Sequence, residues 1–143
     1  EDALNATKAA VKEGVVAGGG TALIKAENYI TRDYCSLCGD LAIGYQIVLA
    51  ALKEPLNQIA VNSGVNALDI YTKVSAEESD TFGYDALTDT FVDMFEAGII
   101  DPVKVTKSAL LNAVSISSML LTTEAAIVKL PDKNSVDLKG LLG

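Results

Sequence analysis

Three consecutive glycines, Gly18–Gly20, stand between two segments whose apolar residues recur at helical spacing. Upstream, Ala3, Leu4, Ala6, Thr7, Ala10 and Val11 keep that period until Gly14 ends it; downstream, Leu23, Ile24 and Ala26 resume it from Thr21 to Ile30. Backbone without Cβ atoms adopts conformations and close approaches that are closed to other residues, so the chain is expected to turn sharply here. Two uses of the run stay open. It forms an anion cradle of amide groups at a helix N-terminus, or it forms a tight turn that packs one helix against another. No Lys-Ser/Thr follows, which excludes a P-loop, and the run neither fits G-x-G-x-x-G nor follows a strand, which argues against a dinucleotide fold.

The remaining pattern is also helical. A helix is expected from about Asp40 to Lys53, with Leu41, Ile43, Val48, Leu49 and Leu52 inside, and Pro55 suits the first turn of a new one, Leu56 to Asn62, closed by Gly64. Ala67 to Val74 predicts a short helix, Ser75 to Asp85 a loop or small hairpin, and Thr88 to Ala97 a helix ended by Gly98. Asp101-Pro102 reads as a helix start, and Val103 to about Ala126 as the longest helix, mostly buried, on Ala109, Leu110, Ala113, Val114, Ser117, Leu120 and Leu121. Ile127 to Leu130 is a marginal strand, and residues 131–143 are a tail. Half of the residues are hydrophobic, yet only 6% are aromatic and none is Trp, so aliphatic side chains carry the burial. The expected fold class is all-α with a marginal β hairpin or strand.

Charge and residue inventory narrow the chemistry. The formal charge of −8 lies wholly in the window from Ser75 to Asp101, where Glu77, Glu78, Asp80, Asp85, Asp89, Asp93, Glu96 and Asp101 face no basic residue. Such a block repels phosphate backbones, so no nucleic acid is expected as a partner; the plain reading is a solvated acidic face. Histidine is absent, which removes the commonest general base and metal ligand. Cys35 and Cys38 supply only two of the four ligands of a structural zinc site and lack the βαβ setting of a redox pair, so reduced, incidental thiols are expected. The longest nearly apolar stretch, Ala109 to Leu121, is interrupted by Asn112, Ser115, Ser117 and Ser118 and falls short of the roughly 20 apolar residues that span a bilayer, so no membrane association is expected. No signal peptide opens the chain, and its start at Glu1-Asp2, inside a helical pattern, suggests a cut segment.

Two carboxylates invite functional readings that their positions alone leave open. Asp2, on an Ala-rich helix, aligns a water or metal ion, or simply answers the helix dipole. Asp101 accepts ribose hydroxyls, or caps a helix.

The ordered constellation says more. Glu1-Asp2-Ala3-Leu4-Asn5-Ala6-Thr7-Lys8-Ala9-Ala10-Val11, then Glu13-Gly14-Val15-Val16-Ala17-Gly18-Gly19-Gly20, resembles the segment where a group I (GroEL-type) chaperonin re-enters its equatorial, ATP-binding domain. Phe82-Gly83-Tyr84-Asp85-Ala86, Gly98-Ile99-Ile100-Asp101-Pro102-Val103-Lys104-Val105-Thr106 and Leu121-Thr122-Thr123-Glu124-Ala125 extend the likeness over nearly all 143 residues. The resemblance implies that residues 1–143 are the C-terminal segment of that domain, in an ATP-driven folding machine of stacked rings. It implies a catalytic role for Asp2, on the attacking water and on a magnesium ion shared with the other half of the domain. It implies nucleotide contacts by Gly19 through its backbone, Asp85 and Ala86 at the adenine, Ile99 against the base and Asp101 at the ribose. ATP and magnesium would be the cofactors; other subunits, unfolded clients and a co-chaperonin would be the partners. The compartment would be the cytoplasm of a bacterium, or the mitochondrial matrix or plastid of a eukaryote. Asp85 stands where many bacterial members carry Asn and mitochondrial ones often Asp; the terminal Gly-Gly-Met repeats are missing, and the loop from Asn28 to Gly39 matches no family pattern. The family's phosphate loop and second metal-binding aspartate lie in the other half, so this segment alone is expected to be inactive as an ATPase. The alternative is a helical oligomerisation module with no nucleotide role.

Overall fold

A computed structural model describes residues 2–33 and 38–128 of the chain, with only the backbone of Asp2, Arg32 and Asp33. In chain order the elements are α1 (Asp2–Glu13), β1 (Val15–Ala17), α2 (Thr21–Asp33), α3 (Asp40–Asn62), α4 (Ala67–Ala76), β2 (Phe82–Asp85), β3 (Thr90–Asp93), β4 (Ile100–Pro102) and α5 (Val103–Leu121). The fold is predominantly helical, and among the described residues the strands form two separate antiparallel pairs, β1 with β4 and β2 with β3. Two compact units divide the chain, one ending at Ala109 and the other beginning at Leu110. The second unit carries the rest of α5, whose last turn is closed by the hydroxyls of Thr122 and Thr123 donating to the carbonyls of Ser118 and Met119.

The core of the first unit is built by α2, α3, α4 and the β2–β3 hairpin. Ile24, Leu56, Ala60, Ile70, Val74 and Tyr84 form one buried cluster, with Phe91 and Tyr71 packed at its edge. Burying each of the larger aliphatic side chains contributes about 1.5–3 kcal/mol. Polar groups stitch the same helices together. The Lys25 ammonium donates to the carbonyls of Val74 at 2.8 Å and Glu77 at 2.7 Å, capping the C-terminal end of α4 with a cation where the helix dipole is negative. Burial lowers the Lys25 pKa, against the opposing pull of Asp80 and Glu77. Asn28 and Ser75 exchange two hydrogen bonds, and buried Glu27 accepts from the Tyr71 hydroxyl and pairs with Lys53 at 3.0 Å. At its other end α4 is capped by Asn66, whose side chain accepts the Leu68 N–H.

Several sequence expectations are corrected. The two helices expected on either side of Pro55 are one, and α3, at 23 residues, is longer than α5, at 19. Leu52, Leu56 and Ala60 sit four residues apart on one buried stripe that runs past Pro55, while Pro55 itself faces solvent. Burial of that stripe offsets the roughly 3 kcal/mol that an interior proline costs a helix. Thr88–Ala97 is not a helix: Thr90–Asp93 is a strand followed by a turn through Gly98. The aromatic and β-branched pair Phe91-Val92 suits a strand, and Phe91 lies opposite Tyr84 with ring centroids 5.6 Å apart. Asp101 and Pro102 belong to β4, and α5 starts one residue later, with the Val103 N–H bonded to the Gly14 carbonyl. The helix expected to reach Ala126 stops at Leu121, and no residue of α5 is buried, although its apolar period is present and Leu111, Ile116, Leu120 and Leu121 are exposed. Ile127 and Val128 lie in no strand. Lys129 and Leu130, the tail and Cys35 lie outside the described residues, and Cys38 is exposed.

Two glycines with nearly equal backbone angles test how the glycine run packs. Gly64 (φ 77°) has open space where a Cβ would sit, whereas a Cβ at Gly20 (φ 80°) would come within 2.8 Å of the Leu56 nitrogen in α3. Gly64→Ala should cost about 1–2 kcal/mol for the left-handed conformation alone. Gly20→Ala should cost a further 1–3 kcal/mol or so for the clash. Urea unfolding of both variants gives the comparison; equal losses would mean that the turn is not pressed onto α3.

Candidate functional site

The glycine run ends β1 and starts α2. Gly19 and Gly20 both take positive φ (62° and 80°), a conformation that side chains other than glycine's adopt at a cost. The Thr21 N–H donates to the Gly18 carbonyl at 3.0 Å, so the first turn of α2 closes directly on the run. The Gly18 N–H is committed to the Ile99 carbonyl at 2.9 Å and is therefore not a donor for an anion. A Cβ at Gly18 would meet that carbonyl at 3.1 Å. Of the two uses left open by the sequence, the tight packed turn is realised in full.

The same hydrogen bond continues the β1–β4 ladder, in which Ala17 faces Ile100 and Val16 faces Asp101. The glycine turn is thereby joined, through Gly18, to the segment Ile99–Asp101. Ile99 is half-buried, and its N–H is held by the Met94 carbonyl at 2.8 Å. Asp101 is exposed. β2 reaches the turn from another side: the Tyr84 carbonyl would lie 3.8 Å from a Cβ at Gly19, and Asp85 is the next residue. The Asp85 carboxylate, however, is occupied by its own hairpin, accepting the Leu87 N–H at 2.9 Å and the Thr88 hydroxyl at 2.7 Å. Ala86 packs against the core cluster. Asp2 opens α1, whose 12 residues separate it from Gly14 by about 18 Å of helix. The ladder itself joins only the glycine turn to Ile99 and Asp101; Asp85 and Ala86 come from β2 and its turn, and Asp2 from the far end of α1.

The acidic window has a structural role that its composition hid. Asp93 accepts the N–H groups of Phe95 and Glu96 and the Thr81 hydroxyl, and Asp89 accepts the Tyr84 hydroxyl at 2.9 Å. Asp80 accepts from Tyr29. These carboxylates build turns, in addition to facing solvent. The hydrogen bond from Thr88 and that from the Leu87 amide lower the pKa of Asp85; the bonds from Thr81 and from the Glu96 amide do the same for Asp93. Among the described residues no three His, Cys, Asp or Glu side chains group as a metal site. A magnesium ion held by one or two carboxylates together with substrate phosphates needs no such group, so Asp2 remains compatible with it. No helix among the described residues is long and apolar enough to cross a membrane.

Two residues of the site escaped the sequence. Thr21, the first residue of α2, is fully buried with a hydroxyl that has no hydrogen-bond partner. Met94, also fully buried, lies beneath the glycine turn. Neither residue type advertises such a position, since threonine at a helix start and methionine in an apolar pattern are commonplace.

Two outcomes are expected. Asp85 and Asp93 titrate below ordinary carboxylates when folded, so their stabilisation is present above about pH 4, the unfolded value, and is lost as pH falls through the folded values. Unfolding followed from pH 7 to pH 2 should show an acid limb that Asp85→Ala and Asp93→Ala flatten; an unchanged limb in both would contradict the assignment. Replacing the orphan hydroxyl by Thr21→Val should leave stability unchanged or raise it by about 1 kcal/mol, since a buried unpaired polar group is costly. A clear loss in thermal melts would mean that the hydroxyl has a partner.

Comparison with known proteins follows the same lines. The model of the TCP-1/cpn60 chaperonin family matches residues 1–131. The fold is similar to that of the open-state monomer of a group II chaperonin from Methanococcoides burtonii, with a TM-score of 0.78 at 24% identity, covering 85% of this chain and 31% of that one. The chain thus spans under a third of the length of that relative.

Proposed function

The chain belongs to the TCP-1/cpn60 chaperonin family, and from that premise we propose that it is the C-terminal part of an equatorial domain, which binds the adenosine portion of ATP and positions the hydrolytic water. The observation that carries this reading is the junction of the glycine turn with Ile99–Asp101 through the β1–β4 ladder and the Gly18–Ile99 hydrogen bond. Half-buried Ile99 offers an apolar surface for a base, and exposed Asp101 offers acceptors for ribose hydroxyls. Asp85, its carboxylate already satisfied, would contact adenine through backbone or edge, with Ala86 alongside. Asp2 would hold the attacking water and share a magnesium ion with residues outside this chain. Magnesium supplies neutralisation of phosphate charge when bound. The motifs around Asp2, Gly18–Gly20 and Asp101 favour the group I branch; the likeness to a group II protein at 24% identity concerns the fold alone.

A second role, in ring assembly, is favoured by one observation. Leu111, Val114, Ile116, Met119, Leu120 and Leu121 are all exposed on α5, an apolar surface of the kind that contacts partners. Subunit contacts and clients are part of the proposal for the whole protein.

The nucleotide reading is tested in the full-length protein by separating affinity from chemistry. Asp2→Ala should leave nucleotide affinity nearly unchanged and slow single-turnover hydrolysis by on the order of 10²-fold, because a misplaced nucleophile costs about that much. Asp101→Ala should do the reverse and weaken binding with less effect on the chemical step. Loss of binding in Asp2→Ala with hydrolysis intact at saturating ATP would overturn the assignment.

A further inference from the structure

Gly19, the middle residue of the glycine turn, rests on the side chain of Met94. Met94 follows β3 and is fully buried. Its Cε lies 3.0 Å from where a Cβ at Gly19 would sit, and its Cγ and Sδ lie 2.6 Å and 2.7 Å from where a Cβ at Gly83 would sit. Two glycines therefore leave room for the thioether chain, which fills the space at Gly19 and shares that at Gly83 with the Thr21 hydroxyl. The Met94 backbone is equally committed. Its N–H donates to the Thr81 carbonyl at 2.8 Å, and its carbonyl accepts the Ile99 N–H at 2.8 Å. Ile99 in turn accepts the Gly18 N–H at 2.9 Å. Gly18, Ile99, Met94 and Gly19 thus form a closed circuit of two hydrogen bonds, one packing contact and one peptide link.

We propose that Met94 is a positioning residue for nucleotide binding, an inference that rests on the adenosine site proposed above. Its backbone fixes Ile99 and its side chain fixes the height of Gly19, so one residue sets the spacing between the glycine turn and the base-binding segment. Being wholly buried, it acts through those two neighbours and does not touch the ligand. Shortening the side chain leaves both hydrogen bonds in place and removes only the prop under Gly19. An unbranched thioether fills such an irregular space well, and a shorter side chain leaves a void into which the turn can sink.

The experiment measures affinity for a fluorescent ADP and single-turnover ATP hydrolysis in the full-length protein, at a temperature where circular dichroism shows each variant folded. Met94→Ala should weaken affinity by about tenfold, equivalent to roughly 1.4 kcal/mol, with a smaller change in the hydrolysis rate at saturating ATP. Met94→Leu, which keeps most of the volume, should restore most of the affinity. Should Met94→Ala fail to fold, Met94→Val, which also lacks the Sδ and Cε atoms, takes its place. A lower melting temperature with unchanged affinity in the folded variant would reduce Met94 to a core residue and overturn the proposal. Asp101→Ala is measured alongside. If it weakens binding while the Met94 variants do not, the positioning role alone fails; if neither weakens binding, the adenosine site itself fails.

Discussion

The first unit depends on the close approach of three backbones at the glycine run. Gly20 lies against the α3 backbone at Leu56, Gly18 against the carbonyl of Ile99, and Gly19 above Met94 and near the Tyr84 carbonyl. A Cβ at Gly20 or Gly18 would press on those backbones and one at Gly19 on the Met94 side chain, and two of the three residues also take positive φ. No single hydrogen bond here is strong, since each contributes about 1 kcal/mol net. Their joint effect is geometric: α2 and α3 from the helical layer, the β2–β3 hairpin and the β1–β4 ladder all meet at one turn.

Around that turn, buried apolar and polar contacts divide the work. The aliphatic cluster of Ile24, Leu56, Ile70 and Val74 supplies the burial, while Lys25, Asn28 and Glu27 lock α2 against α4 in one register. Apolar packing alone is tolerant of small slips, whereas a lysine that caps two specific carbonyls is not. The same helix α2 that begins at the site therefore carries its own alignment, and the position of its N-terminus is defined from both ends.

The helices α1, α2 and α4 were legible in the sequence because each has an uninterrupted apolar period with a glycine or a turn at its end. The sharp turn at Gly18–Gly20 was legible because nothing else explains three glycines. β1 and β4 were not. Val15–Ala17 and Ile100–Pro102 are each three residues long, and their pairing is a non-local event that no local pattern announces. β3 was misread because Phe91, Val92 and Phe95 also fit one face of a helix, and the deciding contact, Tyr84 across the hairpin, lies in another segment. Pro55 was read as a boundary by its local cost, whereas the buried stripe on the other face of α3 overrides it. Of the proposed site, the likeness to chaperonins suggested Asp2, Gly19, Asp85, Ala86, Ile99 and Asp101; Met94 and Thr21 stayed hidden because their positions depend on the Cβ atoms missing at Gly19 and Gly83.

The β1–β4 ladder has a consequence for how such a chain comes to be folded. Its partners are separated by nearly the whole first unit, so every helix of the α2–α4 layer and the entire β2–β3 hairpin lie inside the loop that it closes. Closing a loop of that size is entropically unfavourable until the intervening segments have become compact. During synthesis from the N-terminus, Gly18 therefore waits for Ile99 with its amide unpaired, long after α2 has emerged. The glycine turn is made well before the segment that completes it.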